Sequence, residues 1–473
     1  MYHISDIKKF NNCHKMYFLD KDKHGSFFNY LKNDYSLTDL IIKLFKLENP
    51  YFGSVGDPNS KVINELDKHS SFINARFEYN NIRIKTFLLL KNDDGYSLYF
   101  FHPFIPKELD INSIYISYDV LLNNNINITN IYNIYINNKY VLKDELDVES
   151  VFIVDDSFND EKIINLVKNY NYDYGKIIKE MDELNDSSSV NYQINRNCFM
   201  CEHFNECFKD GFPFDSILHL VSSQNKFDMY NDGLLLLKDF DINRLEGTSL
   251  QYAQIMASRN NGLFIDKELV KNFMESMNKR PICFIDFEWD TYLLPKYKNM
   301  KCFGALPFEF CLYILDENYN LINKSYVGLN DCRVEFINKL IESIPNEGPI
   351  VAFNSFSAEV LRLNELSDQF PEYKDKLSSI SKRFVDLAEP FSKGMLYDVK
   401  YAGKLSVKSL VSVIAGIDYK KLNIKDGLEA VFEYRKYSLN KDESIKNSLI
   451  EYCNQDAYSL YIIYNYLNDL IKA

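Results

Sequence analysis

Beyond Pro281 the chain becomes a series of short apolar segments, and the first of them runs straight into acid. Ile282-Cys283-Phe284-Ile285 is followed by Asp286-Phe287-Glu288. A short apolar run of this kind reads as a buried strand. Residues two apart on a strand share a face, so both carboxylates point the same way. Two like charges so placed repel, and the arrangement is costly unless a cation sits between them. Two-metal phosphoryl chemistry uses such carboxylates around divalent ions about 3.5–4 Å apart. A solvated strand end with two chance acids has the same spelling, so Asp-x-Glu alone decides nothing.

The end of the chain adds a second constraint. A helix predicted over Ser444–Ile471 carries apolar residues at Leu449, Cys453, Leu460, Ile463 and Leu467. Asp456 falls inside that stripe, with Tyr452 one turn earlier on the same face. A carboxylate on a buried face must be paired, protonated or bound to metal. The Tyr452 phenol, one turn from it, could orient an attacking water. Between the two ends, a strand at Pro349–Phe353 leads through a polar turn into a helix at Ala358–Leu366, whose second residue is Glu359. An acid at a helix start is also favoured by the macrodipole, so capping and ligation both fit Glu359. Asp386, in Arg383–Leu387, is a further candidate for the same cluster.

Two more strands, Phe308–Leu315 and Leu321–Val327, join at Asp316-Glu317-Asn318, and Arg333–Ile344 has helical spacing. The order strand-strand-strand-helix-strand-helix is that of an RNase H-like core, though other α/β folds begin similarly. All seven histidines lie at or before His219. The remainder of the chain therefore cannot assemble a Ser-His-Asp or Cys-His nucleophile, or a histidine-ligated zinc.

The length, 473 residues, calls for more than one core. Residues 1–210 read as a mixed α/β domain, with a helix after Ser5 and strands at Ala75–Tyr79, Ile82–Leu90 and Tyr96–Phe101. Residues 211–278 read as a helical connector and 279–473 as the carboxylate-bearing domain. Cys198-x2-Cys201-x5-Cys207 with a solitary Cys13 offers four soft ligands, which suits an iron–sulfur cluster or a structural zinc. A net charge of −13 argues against a broad nonspecific grip on duplex nucleic acid. It leaves room for an acidic metal site. No apolar run of eighteen residues and no apolar leader is present, so a cytoplasmic protein without a membrane span is expected.

Asp286-x-Glu288, the Asn354…Glu359 segment and Tyr452-x-x-x-Asp456 resemble the three motifs of DnaQ-like, DEDD-type exonucleases of the tyrosine subclass. That family normally has Asp in its second motif, where this chain offers Glu359. Cys283–Glu288, Leu306–Phe310, Gly348–Asn354, Arg383–Leu387, Leu405–Lys408, Glu451–Asp456 and, in the first half, Asn137–Val141 are similar in order and spacing to bacterial proteins joining a RecB-like domain to a DnaQ-like one.

The resemblance implies a RecB-like fold, a helical connector and an RNase H-like fold. It implies 3′–5′ exonuclease activity on DNA or RNA with two Mg²⁺ or Mn²⁺ ions on Asp286, Glu288, Glu359 and Asp456. Tyr452 would position the water and Lys408 a substrate phosphate. It also implies a four-iron, four-sulfur cluster on Cys13, Cys198, Cys201 and Cys207, with zinc as the alternative. RecB-like nucleases cut with an Asp on one strand and Glu-x-Lys on the next. Here Ile82–Phe87 and Leu98–Pro103 contain no carboxylate, so the first domain reads as catalytically inactive, with Arg83 and Lys85 as basic remnants or a solvated edge. A noncatalytic nucleic-acid-binding or scaffold protein, both sites decayed, is the rival reading.

Overall fold

A computed structural model describes residues 1–19, 31–183, 193–245 and 247–472. The chain is mixed α/β and divides into two compact units. The first comprises residues 1–193, 197–204 and 292–304, and the second comprises 194–196, 205–291 and 305–473. Among the described residues no helix is long and apolar enough to cross a membrane.

In the first unit, β1 (Tyr2–His3) leads into α1 (Ile4–Asn12), and β1 forms a small sheet with β4 (Arg76–Tyr79) and β5 (Ile82–Lys85) in the order β1-β5-β4. A six-stranded sheet holds β2 (Tyr51–Phe52), β3 (Ser71–Ile73), β6 (Leu88–Asn92), β7 (Gly95–His102), β8 (Ile128–Ile136) and β9 (Phe152–Asp155), in the order β2-β3-β6-β7-β8-β9. The helix α2 (Ile111–Asn123) connects β7 to its parallel neighbour β8 and buries Ile114, Ile116, Val120 and Leu121.

The single strand expected over Ile82–Leu90 is thus two strands in two sheets. Asn74 adopts a left-handed conformation, φ 55°, where β3 passes into β4. The paired chain turns with it, held by Thr86 N–H to Ala75 O at 2.9 Å and Asn74 N–H to Phe87 O at 3.2 Å. Asn tolerates that backbone better than other non-glycine residues.

The second unit begins with helical turns and α3 (Ser249–Arg259), then β10 (Leu263–Ile265) and α4 (Lys267–Glu275). Its main sheet comprises β11 (Ile282–Thr291), β12 (Ala305–Leu315), β13 (Leu321–Val327), β14 (Ile350–Ala352) and β15 (Phe384–Asp386), in the order β13-β12-β11-β14-β15. The first three form an antiparallel meander, and β14 and β15 add in parallel on the far side of β11. Helices α5 (Arg333–Ser343) and α6 (Glu359–Gln369) make the crossovers. Their Phe336, Ile337, Leu340, Leu363 and Leu366 pack with Cys283, Ile285, Phe287, Phe310 and Leu312 of one sheet face. A strand β16 (Leu396–Asp398), α7 (Val407–Ala415), α8 (Gly427–Asn440) and the 30-residue α9 (Glu443–Lys472) follow.

The stretch expected as a helical connector contains more than helices, because β10 pairs antiparallel with β16. All of 211–278 lies within the second unit. The first acidic strand is also longer than its four-residue apolar run, so Asp286 and Glu288 sit within β11 instead of at its tip.

Candidate functional site

Alternation along β11 sends Cys283, Ile285 and Phe287 to the α5–α6 face and Phe284, Asp286 and Glu288 to the other. That second face is covered by α9, where Phe284 packs against Tyr461 and Tyr464. Helix α9 buries Leu449, Tyr452, Cys453, Asp456, Leu460 and Ile463, so its apolar stripe delivers Asp456 to the sheet. One ligand oxygen each from Asp286, Glu288 and Asp456 lies within 4.8 Å of the others. Glu288 and Asp456 are buried and Asp286 is half-buried.

No ion pair relieves this trio among the described residues. Burial first, then Asp456, Glu288 and Glu359, hold the Asp286 carboxyl well above the usual carboxylate range. Burial, Asp456 and Glu309 do the same to Glu288. Asp456 is also raised by burial, against hydrogen bonds from Tyr419 and Tyr452 and the charge of Lys408. The Tyr419 hydroxyl lies 2.6 Å from Asp456 Oδ1 and 3.0 Å from Ser459 Oγ.

Lys408 Nζ donates to the Tyr452 hydroxyl oxygen at 2.8 Å and to the Lys425 carbonyl at 2.8 Å. In this structure Lys408 therefore holds the phenol that was expected to orient water. Its ammonium also lies over the Tyr452 ring, 4.6 Å from the centroid.

Glu359 stands at the first position of α6, buried, with Oε2 lacking a hydrogen-bond partner among the described residues. It lies outside the 4.8 Å trio. Burial pushes its pKa up to about 8, with Asp386 adding repulsion against backbone N–H donors from Phe287 and Glu359 itself. Asp386 is otherwise engaged: its Oδ1 accepts from Asn354 N–H at 2.8 Å and Ala388 N–H at 3.0 Å. Asn354, at φ 56°, makes the left-handed turn after β14 that presents this N–H.

Several participants escaped the sequence reading. Glu309 on β12 lies directly opposite Glu288, is fully buried, and leaves Oε2 without a hydrogen-bond partner among the described residues. An acid within the apolar run Phe308-Glu309-Phe310 was the available signal. Cys311 and Cys453 offer sulfurs within 4.8 Å of a Glu309 oxygen, and Cys453 donates to Asp286 Oδ2 at 3.7 Å. Tyr419 had no signal, since it lies in a short turn between α7 and α8. Asp290, two residues beyond Glu288, is fully buried and neutralised by a bidentate pair with Arg435, at 2.7 and 3.0 Å.

The expected cysteine ligands are all half-buried. Cys13 follows α1 and its Sγ accepts from Met16 N–H at 3.5 Å. Cys198 and Cys201 are linked by a turn, with Cys201 N–H to Cys198 O at 3.1 Å, and Cys207 closes a short helix. Among the described residues, the two close groups of potential metal ligands are Asp286–Glu288–Asp456 and Glu309–Cys311–Cys453. In the first unit, Thr86 is buried and its hydroxyl donates to Ala75 O.

A family model matches part of the chain. It is described as a domain of unknown function, DUF2779, and covers residues 283–406. The matched stretch includes Asp286, Glu288, Glu309, Glu359 and Asp386 and stops short of Lys408, Tyr419, Tyr452 and Asp456. No curated protein and no solved structure matches the chain.

Proposed function

We propose that the second unit is an RNase H-like domain acting as a metal-dependent 3′–5′ exonuclease on DNA or RNA. Asp286, Glu288, Glu359 and Asp456 hold two Mg²⁺ or Mn²⁺ ions in this reading. The observation that carries it is the convergence of Asp286, Glu288 and Asp456 within 4.8 Å, with burial raising the pKa of all three, repulsion adding to it at Asp286 and Glu288, and no ion pair to any of them among the described residues. Structural carboxylates at such depth find a basic partner, as Asp290 does in Arg435. The unpartnered Glu359 Oε2 supplies a further acceptor. An antiparallel meander extended in parallel on the far side of its first strand supports the RNase H-like assignment.

Divalent cations supply, when bound, Lewis-acid polarisation of a phosphodiester and acidification of a water. The chain's own groups do the rest. The oxygen-only donor set of the four carboxylates suits hard cations. Tyr419 fixes the rotamer of Asp456 through its 2.6 Å hydrogen bond. Lys408 fixes the Tyr452 phenol, which orients the water, so Lys408 acts first as a positioning residue.

The first unit takes no catalytic part in this reading. Cys13, Cys198, Cys201 and Cys207 carry the companion proposal of an iron–sulfur or zinc site. The test is incubation of the whole protein with 5′-end-labelled single- and double-stranded DNA and RNA in Mg²⁺ or Mn²⁺. A ladder shortening stepwise from the 3′ end supports the proposal, whereas early internal cuts indicate an endonuclease. Binding without cleavage on every substrate indicates the scaffold reading.

A further inference from the structure

A cavity in the first unit, distant in sequence from the carboxylates, has the opposite charge. Its volume is about 530 Å³, and His3, Ser5, Arg76, Arg83 and Lys85 line it with no carboxylate among the lining residues. Arg76 and Lys85 face each other directly across the antiparallel β4–β5 pair. Like charges in that position destabilise a hairpin. Arg83 is the exception among the three. It pairs with Glu78 at 3.4 Å and donates to the carbonyls of Val55 and Asp57, so it serves the hairpin and the adjoining loop.

Arg76 and Lys85 have no such relief. Lys85 has no hydrogen-bond or ion-pair partner among the described residues, and Arg76 donates to the Asn74 carbonyl at 3.0 Å. Partial desolvation and then the Arg76 charge lower the pKa of Lys85, whose side chain is still exposed to solvent, while burial and then Arg83 lower that of Arg76. The neighbouring acids are taken. The Asp57 carboxylate is held by Lys61, Tyr51 and Ser54 N–H, and that of Asp6 accepts from His3 N–H. Ile4 and Ser5, from the first turn of the nine-residue α1, complete the same wall, and the amino end of that helix is itself capped by His3 and Asp6.

We propose that this cavity is a phosphate-binding site, taking the phosphate group of a nucleotide or of an oligonucleotide end. Two cations facing each other across the hairpin, with no acid paired to either among the described residues, fit a multiply charged, many-oxygen anion, and the guanidinium fork of Arg76 matches two of its oxygens. The volume exceeds what a bare anion fills, and Ile4, Val55 and Ile84 give the cavity an apolar wall against which a sugar or base can pack. The proposal does not rest on the exonuclease reading, because it concerns other residues in the other unit.

The experiment uses the whole protein in EDTA, so that no substrate is consumed. Binding of inorganic phosphate is measured by calorimetry, and binding of a 3′-fluorescent oligonucleotide by anisotropy, with a 5′-phosphate or a 5′-hydroxyl. The double variant Arg76→Gln/Lys85→Gln is compared with wild type, with Lys85→Arg, and with Asp286→Ala as a control at the other site. The expected result is at least a tenfold loss of phosphate affinity in the double variant, retention in Lys85→Arg, and no change in Asp286→Ala. A tenfold preference for the 5′-phosphate that disappears in the double variant assigns the ligand to an oligonucleotide end. Equal binding of both oligonucleotides, with phosphate binding still lost in the double variant, assigns it to a free nucleotide or phosphate. Absence of phosphate binding, or equal affinity in wild type and a folded double variant, overturns the proposal.

Discussion

Replacing Glu359 by Gln separates a metal ligand from a structural helix cap by its dependence on pH. The Glu359 carboxyl stands at about 8 in the folded chain against an ordinary value of 4.5. A raised pKa means that the folded state holds the proton longer than the unfolded state does. The associated stability is fully present below about 4.5 and is lost as pH rises through about 8. A tenfold difference in proton affinity between the two states is worth about 1.4 kcal/mol, so wild type loses roughly 3 kcal/mol between pH 5 and pH 8 through this group.

Glu359→Gln retains an oxygen for the backbone N–H donors and has no charge to bury. In chelator the variant should match wild type near pH 5 and exceed it by roughly 3 kcal/mol at pH 8. The assay is urea unfolding at pH 5, 6, 7 and 8, followed by fluorescence of Trp289. This is the single tryptophan of the chain, it lies on β11, and it therefore reports on the second unit. With Mn²⁺ present the order should reverse at pH 8, because the carboxylate then gains a cation. A variant destabilised equally at every pH would make Glu359 a helix-start acid and remove it from the metal site.

Tyr419→Phe removes the hydrogen bond that favours ionised Asp456. Such bonds to charged groups are worth about 1.5–3 kcal/mol, so Mn²⁺ affinity should fall about tenfold or more and the pH midpoint of activity should rise. An unchanged pH profile would remove Tyr419 from the site. Asp290→Ala breaks the buried pair with Arg435 and should cost about 3–5 kcal/mol while the protein still responds to Mn²⁺. A variant that keeps full stability but no longer responds to Mn²⁺ would put Asp290 among the ligands. Purified anaerobically, the protein should contain iron and sulfide in cluster proportions. One zinc and no iron would keep the cysteine site and reject the cluster, whereas neither metal would reject the site.

Asp286, Glu288 and Asp456 were legible because each broke a local pattern. Asp286 and Glu288 follow an apolar strand with period-two spacing, and Asp456 interrupts a 3.6-period apolar stripe. Both patterns are local, so both survive without knowledge of the fold. Glu309 joins them only through the β11–β12 register, which places it opposite Glu288, and no local period reports a cross-strand partner. Tyr419 and the Lys408–Tyr452 bond depend on how α7 and the turn after it reach α9, which is tertiary information. In the first unit the unbroken strand-like composition of Ile82–Leu90 hid a change of sheet, since the bend is set by Asn74, between the two partner strands. The strand β10 was missed because three residues in a helix-rich stretch give no period to read.

If Asp286, Glu288 and Asp456 form a cation site that cuts nucleic acid, losing one of them must change two properties at once. The most direct test measures cleavage of 5′-end-labelled substrates beside thermal unfolding in EDTA and in Mn²⁺, for wild type, Asp286→Ala and Asp456→Ala. Wild type should cleave and should melt higher in Mn²⁺. Each variant should lose both properties while melting in EDTA no lower than wild type, because it removes one of three mutually repelling charges. Activity retained in both variants, or a wild type that neither cleaves nor responds to Mn²⁺, would exclude a catalytic cation site on these carboxylates.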